Sequence, residues 1–193
     1  MAVPVIKFPA QYESYRGIVL FMVTLLLANI VWKLSIAGDD AVNTTSVVTL
    51  WGMNVSMPFD LMASNVAKSV SAILNVCGTH VTVSDENVIR HDNGHAVRII
   101  WACSGLKQMY IFFCIFLCSR GPWKKKLYII PLGILLVHLT NVLRIVIIAA
   151  SVKNHHEWFH FLHEYLTKYG FYVIIFLIWV VWEEIIVPQK SSE

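Results

Sequence analysis

Three groups of residues pair reactive side chains with positions where such side chains are costly. The first is Ala102-Cys103-Ser104-Gly105-Leu106-Lys107, where a polar stretch gives way to an apolar one. This places Cys103 at a helix N-terminus, where backbone amides and the helix dipole favour an anion and lower a thiol pKa. The plainer alternative is a small residue filling a packing gap. The second group is Asn141-Val142-Leu143-Arg144, inside a long apolar run; residues three apart share one helix face. Arg144 sits about eight residues from the outer end of that run, roughly 12 Å below it at 1.5 Å per residue. A guanidinium at that depth requires an anionic partner or a water-filled cavity. Glu157 and Glu164 would supply a purely structural partner. His138, one and a half turns deeper and on another face, reads as a packed or helix-bridging histidine. The third group is His155, His156, His160 and His163, of which the last three follow i, i+4, i+7 spacing. They fit either a metal site or an interfacial helix with solvated histidines. His163 stands apart because it lies where the chain re-enters an apolar stretch, in Phe161-Leu162-His163-Glu164 with Gly170 following. Thiol, cation and imidazole together suit nucleophilic acyl transfer. The imidazole takes the thiol proton and returns it to the leaving amine, while the guanidinium holds the thiolate or the developing oxyanion.

The elements that must position these groups follow from composition. Apolar residues make up 57% of the 193 and charged residues 14%, against about 45–50% and 25% in soluble globules. A chain of this size has too little interior to hide that surplus, so it must meet lipid. The same figures exclude a disordered, collagen-like or nucleic-acid-binding protein. Four cysteines without a C-x-x-C pair make neither a disulfide scaffold nor a zinc ribbon. Long apolar stretches run from about Gly17 to Ile36, Ala102 to Ser119, Leu127 to Val152, and Phe161 or Phe171 to Val187. Each is near or above the ~20 residues a helix needs to cross a bilayer. The stretch from about Phe59 to Cys77 carries Asp60, Asn65, Lys68 and several serines, and reads as an interfacial or bundle-packed helix. The first apolar run is too long for a signal-peptide core and lacks a convincing cleavage site, so a retained helix is expected. Thr79–Ser84 and His95–Ile100 alternate polar with apolar residues, and Val88–His91 between them is short and extended, with turns at Asp85-Glu86-Asn87 and Asp92-Asn93-Gly94. The expected fold is therefore an all-α polytopic membrane protein. It has about four transmembrane helices, an interfacial helix and a small extracytoplasmic β-meander, in a single integral membrane domain over 1–193 with a cap at about 37–101.

Basic residues set the orientation. Lys7, Arg16, Arg120, Lys124, Lys125, Lys126 and Lys190 flank the spans on one side, which is then cytoplasmic and holds both termini. Cys103, Arg144 and His163 then fall within a turn or two of the same, outer face.

At these residues the chain resembles the exosortase/archaeosortase family of membrane-embedded cysteine transpeptidases. Ala102–Lys107 matches its A-C-S-G-[LI]-[RK] signature, and Asn141-Val142-Leu143-Arg144-Ile145 matches N-x-L-R-I. Phe161–Glu164 with Gly170 is similar to its closing F-x-H-[ED] element, with a longer spacing between Glu164 and Gly170 than usual. The resemblance covers roughly Val81 to Val187 and points to a minimal-length member. It implies a multi-pass protein of the cell membrane that cleaves C-terminal sorting signals of exported proteins at the outer face through a thioester acyl-enzyme. Those signals comprise a short motif, a transmembrane helix and a basic tail. The resemblance also implies Cys103 as nucleophile, Arg144 as stabiliser of the thiolate or oxyanion and His163 as acid/base, with His160 the alternative. No cofactor or metal is expected on this reading; the partners are the lipid bilayer and the substrate proteins. Two rival readings remain, a histidine-based metal- or haem-binding membrane protein and a thiol–quinone oxidoreductase. Cys114 and Cys118, i and i+4 in an apolar helix, read as small core residues.

Overall fold

The computed structural model describes residues 15–39, 47–85, 87–154 and 167–187. Helix α1 (Arg16–Ser35) is apolar on every face, yet only Gly17, Phe21, Thr24, Ala28 and Trp32 turn inward, at spacings of three and four. Ile18, Met22, Leu26, Ile30 and Leu34 stay exposed. One buried stripe on an otherwise apolar helix is what a lipid-facing helix needs. Strands β1 (Ile36–Asp39), β2 (Val47–Leu50) and β3 (Met53–Asn54) follow as an antiparallel sheet. Trp51 and Gly52, both at positive φ (48° and 84°), make the two-residue turn between β2 and β3.

Helix α2 (Ser56–Val76) is amphipathic: Ala63, Val66, Ala67, Val70 and Leu74 are buried, while Asn65 and Lys68 are exposed on its other side. Strands β4 (Val81–Ser84), β5 (Val88–His91) and β6 (Ala96–Arg98) pair antiparallel in chain order. A 3-10 turn at Trp101–Cys103 then leads into α3 (Leu106–Cys118). Helix α4 (Trp123–Asn154) has 32 residues, about 48 Å at the helical rise. Helix α5 (Thr167–Val181) runs into a π-helical turn at Trp182–Ile186.

Among the described helices, α1 and α4 are individually long and apolar enough to cross a membrane. The third apolar helix, α3, is shorter than the Ala102–Ser119 run from which it comes, at 13 residues or about 20 Å. Its opening residues are diverted: Cys103 closes the 3-10 turn and Gly105 takes a left-handed conformation, so regular helix starts only at Leu106.

Two cores result. One joins α1, α3, α4 and α5 through Phe21, Phe112, Phe116, Val137, Ile175 and Trp182. A side chain at Gly133 would run into the Phe112 ring, so α3 and α4 approach closely there. The other core joins α2, the β4–β6 sheet, Cys103 and the later part of α4 (Val142, Ile145, Ile148, Ala149). At the end of the first core, Arg120 pairs with Glu183, and both lie against Gly17. The start of α1, the α3–α4 turn and the end of the α5 segment therefore meet. Trp182 donates to the Arg120 carbonyl (2.8 Å), and the buried Lys126 ammonium donates to the carbonyls of Leu117 and Ser119. These bonds satisfy carbonyls that the end of α3 leaves open.

Candidate active site

Cys103 lies at the seam where the β4–β6 sheet hands over to the helical bundle, 7% exposed and packed among α2, the sheet and α4. Its backbone N–H donates to Ile100 O (2.8 Å), closing the 3-10 turn. Its carbonyl accepts a 2.9 Å bond from Asn141 Nδ2 on α4. Asn141 is completely buried, and its Oδ1 has no hydrogen-bond partner among the described residues. Gly105 is required by the same contact. Its φ is +86°, and a Cβ there would stand 2.9 Å from Asn141 Nδ2. Small size and left-handed backbone at position 105 thus let α4 come up against the cysteine turn. Ser104, 1% exposed, lies between them, its Oγ 3.4 Å from Leu106 N.

This geometry alters one expectation. Cys103 is not the first residue of α3; it ends a separate turn two residues before the helix cap, Gly105. The Arg144 guanidinium is within electrostatic range of the thiol. Arg144 is one turn beyond Asn141 on the same side of α4. The backbone brace and the charge therefore reach the cysteine segment from a single helix face. The guanidinium also lies over the Phe171 ring of α5, 5.8 Å from its centroid, and its buried Nε has no hydrogen-bond partner among the described residues. It lines a cavity of about 240 Å³ between α4 and α5, together with Thr140, Leu143, Ile147, Gly170 and Phe171.

The chain's match to known proteins agrees with the site. The model of the family described as Transmembrane exosortase (Exosortase_EpsH) matches residues 14–182. The chain belongs to this exosortase family. No curated protein and no solved structure matches it. Membership carries a general function, that of a membrane transpeptidase-type protein, and it accounts for the lipid-facing surfaces of α1 and α4.

Of the three residues expected to converge, Cys103 and Arg144 are brought together. His163 lies outside the described residues, as do His155, His156, His160, Glu157 and Glu164. Among the described residues no histidine, cysteine and carboxylate cluster could hold a metal. No disulfide joins the four cysteines, and Cys77 is exposed at the end of α2. Sequence reasoning placed Asn141 on the Arg144 face without giving it a role; in the structure it holds the Cys103 carbonyl. It also missed Asn29, whose Oδ1 accepts from Tyr172 Oη (3.2 Å) and ties α1 to α5. An asparagine in an otherwise apolar helix was the available signal for that bond.

Proposed function

We propose that this exosortase is a cysteine endopeptidase and transpeptidase of the cytoplasmic membrane that cleaves C-terminal sorting signals at the outer face. In this reading Cys103 attacks the scissile carbonyl and forms a thioester. Arg144 stabilises the thiolate and then the oxyanion. His163 carries the proton from thiol to leaving amine. The segments around α3 and the end of α5 complete four spans. Both termini are cytoplasmic, with Arg16, Arg120 and Lys124–Lys126 on the inner side, and residues 37–101 form the outer cap. The substrate's transmembrane tail enters from the bilayer alongside the cavity between α4 and α5, whose lining residues Leu143 and Ile147 are exposed on α4.

The observation that carries this reading is the approach of a largely buried guanidinium to a buried thiol across 41 positions of chain. A charge in that interior is costly, and a thiolate beside it is an anion that offsets it. The test is to trap the acyl-enzyme on a tagged protein bearing a C-terminal motif, helix and basic tail, and to identify the attached residue by mass spectrometry. The expected adduct is on Cys103. Cys103→Ala should leave full-length precursor, Arg144→Gln should slow cleavage about 100- to 1,000-fold, as loss of one oxyanion donor does, and His156→Ala should be mild. An adduct elsewhere, or wild-type cleavage by Cys103→Ala, overturns the assignment.

A further inference from the structure

A second cavity, of about 390 Å³, lies between α1 and the segment leading into α3, apart from the one that Arg144 lines. Its walls include Ile30, Lys33 and Ile36 from the end of α1 and the β1 strand, and Trp101 and Lys107 from the cysteine segment. Lys33 and Lys107 thus both line an otherwise largely apolar hollow, and no acidic side chain of the described residues lines it. Trp101 is fixed as a wall because its indole lies directly on Gly38, where no Cβ fits. Lys107 stands in the first turn of α3, where the helix dipole adds to its positive field.

Depth decides what such a hollow takes. Arg16 and Lys33 bracket 17 helical steps of α1, about 26 Å at 1.5 Å per residue, close to the hydrocarbon thickness of a bilayer. Lysine stems near a helix end reach outward, so the Lys33 ammonium comes to the level of lipid phosphates. Ile30, which is exposed, continues the hollow down the lipid-facing side of α1. We infer that this cavity is a binding site for the headgroup of an anionic phospholipid, whose phosphate is held between Lys33 and Lys107 and whose acyl chains lie along α1. The volume suits a headgroup, falling within the range of small-ligand pockets. A soluble anion would gain nothing from the apolar wall, and an acidic peptide would approach from water rather than along Ile30. The site is independent of the catalytic assignment and needs no turnover to be observed.

The experiment is native mass spectrometry of the full-length protein released from detergent and titrated with phosphatidylglycerol, phosphatidylcholine, inorganic phosphate or a short acidic peptide. One phosphatidylglycerol should be retained per chain, at least tenfold more tightly than phosphatidylcholine, and neither phosphate nor the peptide should displace it. Lys33→Gln with Lys107→Gln should weaken retention roughly 25-fold, about fivefold for each ammonium. Lys33→Arg with Lys107→Arg should restore it, and Lys124→Gln with Lys125→Gln, at exposed lysines in the first turn of α4, should leave it unchanged. Equal retention of the two lipids by the wild type overturns the site, as does unaltered phosphatidylglycerol binding in a folded double-Gln variant. Displacement by phosphate assigns the site to a free anion, and displacement by the peptide to a polypeptide; each overturns the lipid.

Discussion

Asn141 and Gly105 have no reactive groups, yet they set where the thiol stands. The Asn141 amide ties α4 to the Cys103 backbone, and Gly105 provides the room for it. Leucine at 141 keeps the volume and removes the donor, so the buried Cys103 carbonyl loses this bond, at a cost of about 1–3 kcal/mol. Asn141→Leu should therefore fold with a lower unfolding temperature in detergent and should lower cleavage by at least tenfold while Cys103 still reacts with small thiol reagents. Gly105→Ala adds left-handed strain of roughly 1–2 kcal/mol to the collision with Asn141 and should be the more damaging change by the same two measurements. Had either variant matched the wild type in both, the brace would be incidental. Spacing made part of this legible: Asn141 and Arg144 fall on one helix face by their separation alone. That this face meets Cys103, and that the meeting passes through a backbone carbonyl, depends on how α4 lies against a turn 38 residues away, which no local pattern encodes.

Among the elements, α3 differs most from its appearance in sequence. Ala102–Ser119 is apolar enough to suggest a complete span, but the first residues pack with the sheet and the helix is left at 13 residues. Hydropathy counts apolar residues without separating those that face lipid from those that face protein, and Cys103, Ser104 and Gly105 face protein. Strands β4 and β6 lie in stretches where polar and apolar residues alternate, and β5 is the short extended piece between two turn signals. The β1–β3 sheet gave no such warning, because Val47-Val48-Thr49-Leu50 does not alternate and its partner strands are short. At the opposite end of the bundle the Arg120–Glu183 pair locks three elements together. Its side chains are 37% and 15% exposed, so it is only partly shielded from solvent. Glu183→Gln should lower stability by about 1–2 kcal/mol, below the cost of breaking a fully buried pair. The double variant with Arg120→Gln should lose less than the two single losses added, by roughly 1 kcal/mol of coupling. Additive losses in thermal unfolding would mean that the two side chains act separately.

For the molecule as a whole, composition places the chain in a membrane, and the family match over residues 14–182 agrees. Orientation is the testable consequence at this scale. With the outer cap outside the cell, the exposed Cys77 should react within minutes with a membrane-impermeant maleimide on intact cells, while the buried Cys103 should react far more slowly until the protein is unfolded. Protection of Cys77 in cells, with labelling only after lysis, would reverse the topology. The sequence by itself determined that the protein meets lipid, which end of its helices is basic, and that the Cys103 thiol and the Arg144 guanidinium stand where such groups are costly. These are properties of composition and local spacing, and they need no partner from elsewhere in the chain. Only the tertiary structure decided that Cys103 sits in a turn of its own ahead of α3 and that Asn141 holds its carbonyl. It also decided that Arg144 reaches the thiol and that Lys33 and Lys107 share a cavity. All but the turn join segments far apart in sequence, and they depend on how helices pack and how a left-handed glycine turns the chain.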